Sequence, residues 1–253
     1  MKKVLALVLA VLFVMTGVAM AEESKGTLTM ATNCAFPPYE YYDDETGEPT
    51  GIDVELVKMV CAELGYEVEV VDMDFGAVVS GVQTGKYDIG AGAITINEER
   101  KQMVDFTDPY EITVQQVIVG PDSPFTSMDD LYAAEGFKIG VQQDTTGDLY
   151  ASDTFESTGK ASVERYKTGT DAVLALTSGK IDCVLIDNGP ALAYVAKNEG
   201  LQMFASDCDS EEYGFCFSKE NAELTAAFNE VLNKLIEDGT VDEIIAEFNA
   251  KML

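Results

Sequence analysis

Residues 77–89 read AVVSGVQTGKYDI and residues 172–183 read AVLALTSGKIDC. Each copy is a helical stretch stopped by a Gly, followed by an Asp that leads into an apolar run. The runs extend from Ile89 to Ala93 in the first copy and from Cys183 to Ile186 in the second. Each reads as a helix, a glycine stop and a buried strand. A repeat of this kind, well separated along the chain, is the pattern expected of two similar α/β lobes.

The flanking segments extend the pattern. Leu28 to Ala31 reads as a strand, and Phe36-Pro37-Pro38-Tyr39 breaks it into a loop. Asp53 is placed to cap a helix with Leu56, Val57, Val60 and Leu64 on one face and Gly65 past its end, and Tyr66 to Val71 is the next strand. The order β, α, β predicts a parallel sheet. Strands are expected over Thr113 to Val119 and Lys138 to Val141, with short helices opening at Met128 and after Asp144. Leu224, Phe228, Val231, Leu232 and Leu235 mark an amphipathic helix stopped by Gly239, and Thr240 with Glu243 suggests a capping box for a last helix. No low-complexity linker interrupts the chain, so it is expected to cross between lobes near Glu111 to Gln116 and Glu212 to Phe217. One lobe then comprises residues 26–112 with 214–253, the other residues 113–213.

Composition narrows the function. The 253 residues carry 45 Asp and Glu against 16 Lys and Arg, a net charge of −29, with no His and no Trp. Such a field repels nucleic acid and anionic membrane surfaces, whose binding depends on clustered cations. The lack of His removes Ser-His-Asp and Cys-His catalysis, His-ligated zinc and His-ligated haem, and no metal or cofactor is expected. Lys2 and Lys3 precede an apolar run from Val4 to Met20, and Ala19-Met20-Ala21 offers a cleavage site, so residues 1–21 read as a secretory signal peptide. The run falls short of a membrane span. An exported, freely soluble protein is expected. Of the five cysteines, Cys61 and Cys183 fall in helix and strand patterns as small buried hydrophobes, while Cys208 and Cys216 are the pair best placed to meet.

Only two arginines exist, Arg100 and Arg165. Arg100 follows the first buried run, where a loop leaves the C-terminal edge of a parallel sheet and ligand crevices form. It has two readings: a fork for a carboxylate, with Thr95 adding a hydroxyl and N–H, or a surface partner of Glu98, Glu99 or Asp105. Asp187 holds the matching place in the second copy, as a holder of an ammonium group or as a helix N-cap. Together the pair suits a zwitterion.

In this order, AFPPY (35–39), GIDVEL (51–56), DMDF (72–75), GKYD (85–88), ITINEERK (94–101), VDFTDPY (104–110), VQQDTTG (141–147) and GKID (179–182) carry a resemblance along almost the whole chain. The chain resembles the extracellular solute-binding proteins of polar amino-acid ABC transporters. The resemblance implies the two-lobed type II periplasmic binding fold, each lobe a mostly parallel sheet flanked by helices, joined by two hinge strands. It also implies a monomer that binds an amino acid by hinge closure and delivers it to a membrane permease.

The implied site has Phe36 and Phe75 flanking the ligand, with Ala93 and Thr95 meeting its α-amino and α-carboxylate groups. Arg100 clamps the carboxylate, Thr145 and Thr146 offer it N–H groups, and Asp187 holds the ammonium. Asn33 stands where relatives selecting cationic side chains often carry an acid, and Asp144 and Glu111 replace a usual Gly and Tyr. These departures point to a neutral polar amino acid. Two alternatives share the fold: a cyclohexadienyl dehydratase using Glu40 or Glu111 as general acid, and a ligand-binding component of a sensor system.

Overall fold

The computed structural model describes residues 24–253; the expected signal peptide lies outside the described residues. Both copies of the repeat build the same joint. Gly85 and Gly179 take left-handed φ values of 69° and 70°. Just past each, the N–H groups of Lys86 and Lys180 reach back to the carbonyls of Gly81 and Ala175, at 3.0 and 2.9 Å, closing the helix end. The Asp that follows ties the new strand to its neighbour. Asp88 accepts from the N–H of Thr29 at 2.8 Å, and Asp182 from that of Lys138 at 2.7 Å.

Each repeat strand then takes the middle place in a five-stranded sheet. In the first sheet, Ile89–Gly90 pairs parallel with Thr27–Thr32, itself parallel to Glu67–Asp72. On the other side Ile89–Gly90 pairs antiparallel with Cys216–Phe217, which pairs with Asp105–Phe106. In the second sheet, Cys183–Asp187 pairs parallel with Phe137–Gln142, whose other neighbour is Ala161–Tyr166. It pairs antiparallel with Gln115–Val119, next to Gln202–Ala205. The sheets are connected by Glu111–Thr113 and Glu211–Tyr213, a two-stranded antiparallel ribbon at the expected crossings. The fold is the two-lobed one expected, with mixed sheets whose parallel part bears the repeat.

The helix Ile52–Glu63 packs against Ala222–Glu237 and Thr240–Met252 on the first lobe. Phe228 sits between Phe215 and Phe217, and Tyr110 stacks on Phe215 with ring centroids 4.7 Å apart. This aromatic seam lies beside the ribbon and stiffens the base from which the second lobe is hung.

Four local expectations change. The first repeat strand ends at Gly90 rather than Ala93, because the chain turns there with Ala93 at φ 49°. Asp53 lies inside its helix, and its carboxylate goes to a distant loop instead of capping. Thr240 begins its helix behind Gly239 at φ 86°, so no capping box forms. All five cysteines are free: Cys216 is fully buried in a first-lobe strand, out of reach of half-buried Cys208.

Gly51 is the glycine whose replacement the backbone resists most. It has φ 129°, and a Cβ there would run into the carbonyl oxygen of Tyr39. Gly51→Ala is expected to cost about 2–4 kcal/mol of unfolding free energy in urea denaturation. Gly120→Ala, where a Cβ meets nothing within 4 Å, should change it by less than about 0.5 kcal/mol.

Candidate functional site

The C-terminal ends of the two repeat strands face one another across a cleft. From the first lobe it is lined by Phe36, Glu40, Phe75, Gly92, Ala93, Thr95 and Arg100, and from the second by Gln142, Thr145, Thr146 and Asp187. The free space between them is small, about 10 Å³.

The turn that ends the first repeat strand is held from beneath. The buried carboxylate of Asp53 accepts from the N–H groups of Gly92 and Ala93 at 2.8 and 2.9 Å and from the hydroxyl of Tyr110 at 2.5 Å. Burial pushes its pKa up to about 6 despite these donors. Three donors on one carboxylate hold Ala93 in a conformation that costs a residue with a Cβ about 1–2 kcal/mol.

Beyond the turn, Asn97 caps the helix Glu98–Met103, its side chain accepting from Arg100 N–H at 2.8 Å. That fixes where Arg100 departs. Its Nη1 donates to the Thr95 carbonyl at 2.9 Å, and the guanidinium lies 5.4 Å from the centre of the Phe75 ring. Among the described residues no carboxylate lies within ion-pair distance of it. Arg165 is the opposite case. Its fork is taken by Asp148 at 2.9 Å, Glu156 at 2.8 Å and the Ser152 hydroxyl at 2.7 Å. One arginine is therefore structural, and the other keeps most of its donors for the cleft.

Asp187 occupies the N-cap position of Asn188–Lys197 yet makes no capping hydrogen bond. Its carboxylate turns to the side-chain amide of Gln115, 2.5 Å away. Burial, and next the nearby Glu211, hold its carboxyl well above the usual range. Thr145 caps the helix Thr146–Ala151, accepting from Asp148 N–H at 3.2 Å.

Eight of the nine residues expected in the site line this cleft. Asn33 is not among them: its amide donates to the Met73 carbonyl at 2.8 Å and accepts from Gln142 at 3.0 Å, a strut between the lobes. Asp144 sits at φ 64°, which explains why a glycine is usual there and why Asp, among the better residues in that region, is accommodated. Glu111 does not line the cleft. Burial pushes its pKa up to about 7, partly offset by the Tyr39 hydroxyl.

Glu40, expected only as a general acid of the dehydratase alternative, lines the cleft. It is 1% exposed, and neither carboxylate oxygen has a hydrogen-bond partner. Burial, and next Asp53 and Asp187, push its pKa well above the usual range. Gln142, in the cleft wall, and Gln115 and Glu211, behind it, were not expected there. The one available signal for the last two was their position in the crossing segments.

Fold and cleft together define a two-lobed binding protein whose site forms between the lobes. Residues 28–251 match the family model of the bacterial extracellular solute-binding proteins, family 3, and the chain belongs to that family. It is 29% identical over 226 residues to the arginine-binding extracellular protein ArtP of Bacillus subtilis (strain 168), covering 88% of this chain and 86% of that one. Among solved structures, an ancestral arginine-binding protein bound to arginine is 34% identical with a TM-score of 0.82, covering 89% of this chain and 99% of that one. The ancestral amino acid-binding protein AncCDT-1, a precursor of cyclohexadienyl dehydratase, is 32% identical with a TM-score of 0.79, covering 88% and 95%.

The buried acids predict a pH dependence with a definite sign. Asp53, about 6 against an ordinary 3.8, and Glu111, about 7 against 4.5, both bind protons more tightly in the folded state. Their stabilising contribution is complete below the ordinary values and is lost as pH rises through 6 to 7. The thermal midpoint should fall over that interval, and Glu111→Gln should flatten the fall, measured by circular dichroism melts across pH.

Proposed function

We propose that this protein is exported, captures an amino acid outside the cytoplasm by hinge closure, and delivers it as a monomer to a membrane ABC permease. In this reading residues 26–112 with 214–253 form one lobe and residues 113–213 the other. The carrying observation is the pairing of an uncommitted guanidinium, Arg100, with a buried, uncapped carboxylate, Asp187, in one small cleft. Buried charges are costly unless paired, so the site favours a ligand that supplies both a carboxylate and an ammonium. Phe36 and Phe75 exclude water from those contacts, and N–H groups of Thr95 and Thr146 complete the carboxylate's shell.

The neutral polar side chain expected from sequence rested on Asn33, Asp144 and Glu111; the Asn33 amide is committed to the lobe strut, and neither acid lines the cleft. Glu40 supports a different order. A carboxyl with two unpartnered oxygens in the wall of the cleft suits a side chain rich in donors. Arginine fits first, as in the relatives named for binding it, and a neutral amide such as glutamine second.

Glu40 also bears on the dehydratase reading, since a cleft carboxyl whose pKa is raised by burial suits a general acid. Phenylpyruvate or phenylalanine formed on incubation with prephenate or arogenate would establish that activity; the expected result is no turnover.

Calorimetry against a panel of amino acids should find a micromolar ligand, about −8 kcal/mol. Arg100→Ala and Asp187→Ala should each weaken it by about 100-fold or more, the scale of a buried charge deprived of its partner. Unchanged affinity in both would overturn the assignment. Because burial raises the Glu40 pKa above the usual carboxylate range, its charge develops as pH rises, so the preference for arginine over glutamine should grow with pH, and in Glu40→Gln it should not.

A further inference from the structure

We propose that Glu211 is a latch that ties the two lobes together behind the ligand: a positioning residue that holds the closed form without touching the amino acid. Its carboxylate accepts from the hydroxyl of Thr95 on the first lobe and from that of Thr146, at 2.8 Å, on the second. A third donor, the Gln115 amide at 3.0 Å, also reaches Asp187. Thr95, Thr146 and Asp187 face the cleft, whereas Glu211 and Gln115 do not line it. One carboxylate therefore sits behind three of the residues assigned to the ligand's two charged ends.

The backbone decides which of these bonds depend on closure. Glu211 lies in the hinge ribbon opposite Thr113, near the end of the range given above to the second lobe, yet its strand is fastened to the first: Tyr213 bridges Thr95, and the Glu212 carbonyl accepts from Ile96 N–H at 2.8 Å. The bond to Thr95 therefore travels with that lobe. Thr146 begins a helix of the second lobe, and Gln115 is paired in register with Asp187 in the second sheet. Opening the hinge moves Thr146 away from Glu211, so that bond exists only when the lobes meet, whereas Gln115 stays near Glu211, which pairs in the ribbon with Thr113, two residues before Gln115. One charge-assisted bond is then available to closure whichever amino acid lies in front of it.

Each threonine hydroxyl has one proton. Given to Glu211, it fixes the hydroxyl's rotation and leaves its lone pairs toward the rest of the site, while backbone N–H groups and Arg100 remain for the ligand carboxylate. The latch thus acts on affinity through the lifetime of the closed form, and not through selectivity.

The inference rests on the amino-acid-binding reading, and the experiment separates the two. L-Arginine and L-glutamine are titrated into the wild type, Glu211→Ala, Thr146→Val and the double variant, with dissociation followed by stopped flow. Glu211→Ala should raise the dissociation rate about tenfold, the scale of one charge-assisted hydrogen bond, for every amino acid the wild type binds. Association rates and the order of preference should stay as they are.

Thr146→Val should act similarly, and the double variant should be no worse than the more affected single one. The thermal midpoint of the free protein should move by less than about 4 °C, the scale of 1 kcal/mol or less, which separates the latch from general damage to the fold. Unchanged dissociation in Glu211→Ala, tighter binding, a changed preference or multiplying effects would each overturn the proposal. If the wild type binds neither amino acid, the functional reading fails in that respect and small-angle X-ray scattering decides the latch. Both single variants must then show a larger radius of gyration than the wild type, and coincident curves would overturn it.

Discussion

The cleft depends on a carboxylate that no ligand would meet. Asp53, inside the first helix, gathers the N–H groups of Gly92 and Ala93 and the hydroxyl of Tyr110. Those bonds end the central strand of the first sheet at Gly90 and hold Ala93 in a left-handed conformation. From that turn the chain presents Thr95 and leads to the helix that carries Arg100. The three hydrogen bonds offset both the backbone cost of the turn and the desolvation of the carboxylate, since each group supplies the other's partner. Tyr39 anchors the same helix end, its carbonyl accepting from Asp53 N–H at 3.0 Å.

Charge is distributed in the same economical way. A chain with 45 acids against 16 lysines and arginines, only two of them arginines, can neutralise few carboxylates inside itself. Arg165 is committed to Asp148 and Glu156, outside the cleft's lining. Arg100 is left with a backbone carbonyl and an aromatic face. Around it stand Glu40, Asp187 and Glu211, acids bound to neutral donors or to nothing. The excess of acid over base at this one place is what distinguishes the cleft from the rest of a strongly acidic surface, where carboxylates are solvated.

Much of the architecture was legible because it is local. A Gly in a left-handed turn after a helix and an Asp at the start of the next strand need only their own neighbours, so the repeat could be read without knowing the fold. The two crossings were legible for a related reason: no flexible linker was present, so ordered strands had to carry the chain. Site residues carried by the family resemblance, such as Phe75 and Thr146, reached the cleft wall. Asn33 did not, since an amide's role depends on which partner reaches it first. The sequence places it beside the loop, and tertiary structure gives it Met73 and Gln142.

What the sequence by itself determined was the two-lobed α/β plan, the acidic surface and the scarcity of cations that singles out Arg100. Each follows from composition or from contacts within about one supersecondary unit. Only the tertiary structure decided which arginine stays unpaired and that Asp187 does not cap its helix. It also decided that Asp53 serves a turn 39 residues away and that Glu211 sits behind the cleft wall on Thr95 and Thr146. A buried group's partner is chosen by burial and direction, which emerge only when distant segments pack. The same carboxylate can be a cap, a strut or part of a site depending on that choice.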